Sequence, residues 1–411
     1  VIGAGPYRLL DACTLCSQPV KTVWEFRPTP LANSYRTNSD PQEYYPLELA
    51  RCDSCFHLQC PVVVNPSTLF EDYAYVSGTS PSFVRHFRHY AQALTDRFFL
   101  TPSSLVVEFG SNDGTMLREF DCRVLGVDPS KNVSAIANEA GIETLCAFFE
   151  PKLAQSILHE RGYADLIVAN NVMAHAEDLV SILQAVKILL DPAGAFVFEV
   201  SYGLTVLEQN LFDNVYHEHL HYHTVTALKS FLEANGLKLF DVEHVNTHGG
   251  SIRCFAGFPG NRGDHEGKNV TAALLMEQSS GILGPKIRTL IHRNRNIQSN
   301  AASGFFYLQR EKKIKGIRIY GYGAPAKSVT LLSELAVSVD LFDAIVDDNP
   351  LKQGKFHPSH NCPIISYDDM MASPPDVVVI LAWNFTEQIL AKIPSTVRTV
   401  VLSLNPPENT Q

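Results

Sequence analysis

The stretch VVEFGSNDGTMLREF, residues 106–120, decides how the chain is read. It carries the end of an apolar run, Leu105 to Phe109, followed by a turn rich in Gly, Ser, Asn and Asp. That order marks a strand leaving a sheet through a loop that opens a helix. Glycines at 110 and 114 let a ligand approach the backbone closely. The loop lacks the Gly-Lys-Ser/Thr ending of a P-loop. Glu108 and Asp113 would repel a pyrophosphate, so they favour a cationic, amine-bearing ligand. The next strand, RVLGVDPS, ends in Asp128, and an acid there can hydrogen-bond ribose hydroxyls. A dinucleotide site shares that acid; the acidic loop is what separates the two readings.

On either side, strands and helices alternate, which predicts parallel sheets. SLVVEFG, CRVLGVD, ADLIVAN and GAFVFEV are the clearest strands, and KLFDVEHV and SIRCFAGF form an antiparallel end. A second set, IRIYGYG, LFDAIVDD, PDVVVILAW and RTVVLSL, follows a helical segment, LLMEQSSGILGPKIRTLIHRNRN. The expected division is a cysteine-rich β module over 1–75, an α/β domain over 76–300 and a second α/β domain over 301–411. Lys and Arg number 33 against 43 Asp and Glu, a net charge of −10, which argues against a nucleic-acid or anionic-membrane binder. No apolar stretch is long enough to span a bilayer. The opening VIGAGPYRLLDAC has no basic region and no long apolar core, and the chain has nine cysteines, an odd number, so reduced thiols in a cytoplasm are expected. VIGAGP resembles a flavin-binding loop but lacks its third glycine, and cysteines arrive where its helix should start.

Those cysteines are paired. Cys13 and Cys16, then Cys52 and Cys55, form C-x₂-C…C-x₂-C, the donor set of a closed, tetrahedral, structural zinc site. His57 and Cys60 lie near enough to be rival ligands.

NVYHEHLHYHT, residues 214–224, contains His217-Glu218-His219-Leu220-His221, which matches H-E-x-x-H of the zinc proteases. That site needs both histidines one turn apart on a regular helix, and the flanking Asp-Asn and β-branched residues oppose one. The run instead belongs to a loop after the fifth strand, over the edge where α/β ligands bind.

The acidic loop with Asp128 resembles a class I S-adenosylmethionine-dependent methyltransferase. The two cysteine knuckles, YAYVSGTSPSF, VVEFGSNDGTML, NNVMAHAED, YHEHLHY, THGGSIR and GYGAPAKS together resemble the nucleotide-sugar C-methyltransferases of deoxysugar biosynthesis. The resemblance covers the chain and implies a zinc-binding β module, a class I Rossmann-like methyltransferase domain and a C-terminal Rossmann-like domain. It implies adenosylmethionine and structural Zn²⁺ as cofactors. The implied substrate is a 4-keto-6-deoxyhexose on a nucleoside diphosphate, usually dTDP, methylated beside the ketone at carbon 3 in preference to carbon 5. Such a proton needs a positioned base and donors for the enolate oxygen. By motif match His219 is the base, Glu218 or Tyr216 orients it, and His175 and Tyr75 are donors. The cofactor would lie on Glu108, Gly110, Asn112, Asp113, Gly114, Asp128 and Asn170.

Two further stretches concern the sugar nucleotide. In THGGSIRCF, two glycines precede a strand; the reading is either a plain turn or close approach to the sugar, with His248 and with Arg253 near a phosphate. In IRIYGYGAPAKSVTLL, Gly323, Ala324 and Lys327 would form an anion site at a helix start. Read alone, that loop suits NAD with Asp347 or Asp348 on a ribose, which leaves an NAD-dependent oxidoreductase as the alternative; the resemblance assigns it to the diphosphate.

Overall fold

The computed structural model describes residues 6–40, 42–65, 68–69, 76–79, 81–260 and 267–404, without the side chains of 79, 81 and 248. Strand β1 (Tyr7–Leu9) opens the chain. β2 (Val20–Thr29) and β3 (Tyr45–Cys52) follow, both with apolar residues alternating inward. Two short strands complete this module, β4 (Leu58–Gln59) and β5 (Val62–Val64). β1 pairs with β5, and β2, β3 and β4 form an antiparallel sheet.

The middle part begins with helix α1 (Pro81–Phe98). It continues through β6 (Leu105–Phe109), β7 (Arg123–Val127), α2 (Lys131–Glu139), β8 (Thr144–Leu145), α3 (Pro151–Arg161), β9 (Ala164–Asn170), α4 (Leu179–Leu189) and β10 (Leu190–Ser201). A short α5 (Gly203–Glu208) leads to the histidine run, β11 (His221–Tyr222), α6 (Val225–Ala234), β12 (Lys238–Val245) and β13 (Ser251–Gly257). The sheet order is β12-β13-β10-β9-β6-β7-β8. β6 to β10 run parallel and β13 antiparallel to both neighbours. This is the class I methyltransferase arrangement, and all five residues of β6 are buried because both faces are covered. Val107, Phe109, Ile167, Phe196 and Phe198 pack on one face. Val106, Leu166, Val168 and Val197 pack on the other, against Phe87, Tyr90, Leu94 and Phe98 of α1.

The helical segment expected between the two α/β parts breaks. α7 (Lys268–Ser280) ends at Gly281, whose φ of +87° closes it, and α8 (Ile287–Lys315) restarts beyond Pro285. The last part contains β14 (Ile319–Tyr322), α9 (Ser328–Glu334), β15 (Ala344–Val346), β16 (Ile364–Ile365), α10 (Tyr367–Ala372), β17 (Val377–Ile380), α11 (Thr386–Leu390) and β18 (Arg398–Val401). Its sheet, β16-β15-β14-β17-β18, is parallel throughout. Among the described residues no helix is long and apolar enough to cross a membrane.

One pairing crosses the expected division. β11, two residues beyond His219, joins the N-terminal sheet beside β4, with His221 opposite Gln59 and Tyr222 opposite Leu58. The histidine run is therefore held by the cysteine-rich module as well as by its own domain.

Candidate active site

A cleft of about 1380 Å³ opens over the carboxyl ends of β6, β7 and β9 and reaches the loops of the C-terminal sheet. Glu108 stands at the end of β6, where burial pushes its carboxyl up to about 8. Asn170 Nδ2 donates to Oε1 at 2.9 Å, whereas Oε2 is buried without a partner. Gly110 has φ +67°, and a Cβ there would stand 2.1 Å from Val172 Cγ2. The Asn112 amide donates to Asp128 Oδ2 at 2.9 Å and the Ser130 amide to Oδ1 at 2.9 Å, so Asp128 ties the two loops together. Glu108, Gly110, Asn112, Asp128 and Asn170 all line the cleft. Asp113 and Gly114 do not. Asp113 accepts from the Gly78 amide at 3.0 Å and from the Thr115 hydroxyl at 2.6 Å, and Gly114 backs onto Ile142. They brace the loop from behind. The donor set fits adenosylmethionine: a buried carboxylate oxygen without a partner suits a cation, and a second acid stands where ribose hydroxyls are met.

The histidine run is a loop, not a helix: a 3₁₀ turn (Phe212–Asn214) precedes it and β11 follows. His217 Nε2 donates to the Pro46 carbonyl at 2.9 Å and His221 Nε2 to the Ala176 carbonyl at 2.8 Å. These two rings serve separate loops and form no metal pair. His219 is different. Its Nδ1 lies 2.9 Å from the Asn214 carbonyl, which can only accept, so Nδ1 carries the proton and Nε2 the lone pair. Nε2 accepts from the Tyr216 hydroxyl at 2.8 Å. His175 meets His219 edge-on with ring centroids 4.9 Å apart, and burial lowers it to about 4, so it is neutral near pH 7. Glu218 accepts from Asn33 Nδ2 at 2.8 and 2.9 Å, and burial raises it to about 7. Tyr216, Glu218, His219 and His175 line the cleft together. Tyr75 lies outside the described residues, as does the side chain of His248.

On the C-terminal side the expectations need correction. The Ala324 amide donates to Asp347 Oδ2 at 2.7 Å, Pro325 has no N–H, and α9 is only seven residues long. Ala324 is buried behind the loop, where its carbonyl accepts from Tyr35 Oη and Lys352 Nζ at 2.7 Å each. Asp347 is likewise spent on the loop backbone, at Ala324 and at the Asn349 amide, 2.9 Å away. Lys327, Lys352 and Lys392 of this part line the cleft, and Lys327 is the one set against an aromatic ring and a buried acid. Its Nζ lies 3.7 Å over the Trp383 ring and 4.0 Å from Asp213 Oδ2, while Trp383 Nε1 donates to the same oxygen at 2.6 Å. Gly323, Lys327 and Trp383 line the cleft. Arg253 does not. Its Nε and Nη2 bond Glu199 Oε1 at 2.9 and 2.6 Å, and its guanidinium covers Tyr90 at 3.4 Å. A β13 strand position inside the sheet turned it toward an acid of β10 and away from any phosphate.

Two residues of the cleft had no local signal in sequence, Asn33 and His86; nor had Asp213, the acid that meets Lys327 and Trp383. Asn33 sits in an unremarkable Leu-Ala-Asn-Ser-Tyr turn and becomes informative only beside Glu218.

Cys13, Cys16, Cys52 and Cys55 bring their sulfurs within 4.8 Å of one another. Sulfurs of 13 and 55, 16 and 52, and 16 and 55 lie 3.5, 3.5 and 3.4 Å apart. A zinc tetrahedron with 2.3 Å bonds has edges of about 3.8 Å, so the set fits one ion with no coordination position left open. His57 faces His221 and Cys60 faces the Val62 carbonyl, so neither rival belongs to the set.

Comparison with known proteins agrees with this division of labour. Residues 13–70 match a zinc binding domain, 83–242 a methyltransferase domain and 246–400 a C-methyltransferase C-terminal domain. The chain is 33% identical over 392 residues to C-methyltransferase NovU of Streptomyces niveus, covering 93% of this chain and 92% of that protein. The chain belongs to this C-methyltransferase family. Solved structures similar to part of it include an S-adenosylmethionine-dependent methyltransferase from Clostridium acetobutylicum, at 14% identity over 43% of this chain and 92% of that one, TM-score 0.36. Another is magnesium protoporphyrin IX methyltransferase from Synechocystis with bound S-adenosylhomocysteine, at 18% identity over 43% and 83%, TM-score 0.34. As a C-methyltransferase using adenosylmethionine, the chain forms a bond to carbon, which requires a carbon nucleophile and hence a base.

Proposed function

We propose that the chain methylates a dTDP-linked 4-keto-6-deoxyhexose at the carbon beside the ketone, carbon 3 in preference to carbon 5, with His219 as the base. The observation that carries this reading is the proton placement on His219. Asn214 fixes the proton on Nδ1, so Nε2 is the acceptor, and it lies in the cleft shared by the acidic loop and the C-terminal loops. A C–H beside a ketone is a weak acid, so its removal needs a base held in place and a donor for the oxygen that becomes negative. Tyr216, now donating to Nε2, orients the ring and offers a hydroxyl that can turn to that oxygen. His175, neutral and edge-on to His219, is a second donor. Bound adenosylmethionine supplies an electrophilic methyl, which the deprotonated carbon takes up. Glu108 and Asp128 would hold it. Lys327 and Trp383 would receive the charged and aromatic parts of the nucleotide. The opening of the cleft to both α/β parts, together with the match of residues 246–400 to a C-methyltransferase C-terminal domain, supports this substrate class over a nicotinamide-dependent oxidation.

The test incubates the protein with methyl-labelled adenosylmethionine and dTDP-4-keto-6-deoxyglucose in deuterated buffer, beside His219→Ala. The expected outcome is labelled sugar with the native protein, and neither label nor deuterium wash-in with the variant. Wash-in that survives in His219→Ala would remove the base from residue 219.

A further inference from the structure

A run of buried polar contacts joins the first cysteine knuckle to the catalytic loop. Thr14 lies between Cys13 and Cys16, and its amide and hydroxyl meet Gln59 Oε1 at 3.0 and 3.2 Å. Thr14 Oγ1 is 3.4 Å from His221 Nδ1, and His57 Nε2 is 3.1 Å from the same atom. The far side of the ring, Nε2, is 2.8 Å from the Ala176 carbonyl. A carbonyl accepts only, so Nε2 carries the proton and Nδ1 accepts from His57. Burial lowers His221 to about 3 and His223 to about 4, so both rings are neutral and act purely through these bonds. The neighbouring backbone follows the same route: the Leu220 and His221 amides donate to Ala174 at 2.8 and 3.1 Å, and His223 Nε2 donates to Met173 at 3.0 Å. Residues 173–176 are thus suspended from β11, and β11 is a strand of the cysteine-rich module. His175 is in that suspended segment, against His219.

We propose that His221 is a positioning residue for methyl transfer: anchored by His57, two residues beyond Cys55, it holds the Ala176 carbonyl and so sets His175 against His219. This rests on His219 as the base. The resemblance to a protease motif hid the role, since His221 supplies the second histidine of H-E-x-x-H. A displacement of the order of 1 Å at such a group lowers turnover about a hundredfold. The ring has two working atoms, and two substitutions separate them. Gln at 221 places an N–H where Nε2 was and keeps the bond to Ala176. Asn at 221 places an acceptor where Nδ1 was but stops short of Ala176.

The zinc-loaded full chain is assayed with adenosylmethionine and dTDP-4-keto-6-deoxyglucose in deuterated buffer as wild type, His221→Gln, His221→Asn and His219→Gln. Zinc content and calorimetric affinity for S-adenosylhomocysteine are measured in each. His221→Gln, which keeps the Ala176 bond but gives up the acceptor for His57, is expected to lose a few-fold in kcat, and His221→Asn, which gives up Ala176, about tenfold to a hundredfold in kcat and wash-in. Zinc content and S-adenosylhomocysteine affinity stay at wild-type values. Equal kcat in the Gln and Asn variants overturns the proposal. If His221→Asn does not fold, His57→Gln and His57→Leu read the other end of the ring. The first keeps the donor and the rate, the second loses both, and equal rates overturn the proposal. Activity and wash-in retained by His219→Gln would overturn the base itself; their loss, with an indifferent residue 221, would overturn only the link.

Discussion

Glu108 is the residue whose chemistry the fold alters most plainly. Its carboxyl is raised to about 8 by burial, against the ordinary carboxylate value near 4.5. Between those values the folded protein keeps a proton that the unfolded chain has released, so folding stability falls as pH climbs from about 4.5 to about 8. Glu218, raised to about 7, adds to the same slope. In Glu108→Gln the melting temperature of the ligand-free protein should vary less between pH 5 and 8, which thermal melts at spaced pH values will show. The variant should also bind adenosylmethionine about tenfold or more weakly by calorimetry, since a bond to a charged group is worth about 1.5–3 kcal/mol. Gly110→Ala tests the loop backbone. It forces a side chain into φ +67° and onto Val172, so it should cost on the order of 1–3 kcal/mol in urea unfolding. Val172→Ala in the same chain should restore only part, because it removes the contact and leaves the backbone strain. Glu108 and Gly110 were legible in sequence because strand, acid and glycine are neighbours there. Arg253 was misread because its partner, Glu199, is 54 positions away and visible only once β10 and β13 pair.

Whole elements repeat this contrast. The longer strands of both α/β sheets could be read from apolar runs bounded by turn residues, and the antiparallel end from its two alternating runs, whereas the two-residue edge strands β8 and β16 are too short to show a pattern. The break between α7 and α8 was written in Gly281 and Pro285 but lay inside an otherwise helical pattern. The loop 321–327 had the composition of an anion site, yet Asp347 occupied the Ala324 amide that the site needed. Sequence spacing describes the loop, and only the fold brings the competing acid to it. The same limit hid the turn of the N-terminal module that reaches the cleft. Asn33 supplies two contacts to Glu218, and Tyr35 donates to Ala324 at 2.7 Å, so one turn touches both sides of the site. Asn33 lowers the Glu218 pKa, so Asn33→Leu should raise it further. The ionised carboxylate would then be buried without that donor, so the variant should be destabilised more at pH 8 than at pH 6. Melts of the two proteins at both pH values measure the difference.

The three parts are joined through the site. The four-thiolate module carries Asn33 and the sheet that receives β11, while the acidic loop belongs wholly to the seven-stranded sheet. Structural zinc contributes about 10–16 kcal/mol in small domains, comparable to or above the whole stability of an ordinary domain. Stripping it should therefore loosen the small β module well before a sheet whose core strands are buried on both faces. The consequence for function is asymmetric. The proposed cofactor end, Glu108 to Asp128, makes its bonds within the middle sheet and its loops, so its ligand affinity should survive. The proposed base end, Tyr216 to His219, loses Asn33 and the β4 edge, so transfer should fall. A chelator titration under reducing conditions, followed by a colorimetric zinc reagent, should show methyl transfer declining in proportion to zinc released. S-adenosylhomocysteine affinity, measured on the same samples, should stay within about threefold, a difference of less than 1 kcal/mol. Parallel loss of both would mean that the modules open as one cooperative unit, and that the zinc holds the methyltransferase sheet as firmly as it holds its own strands.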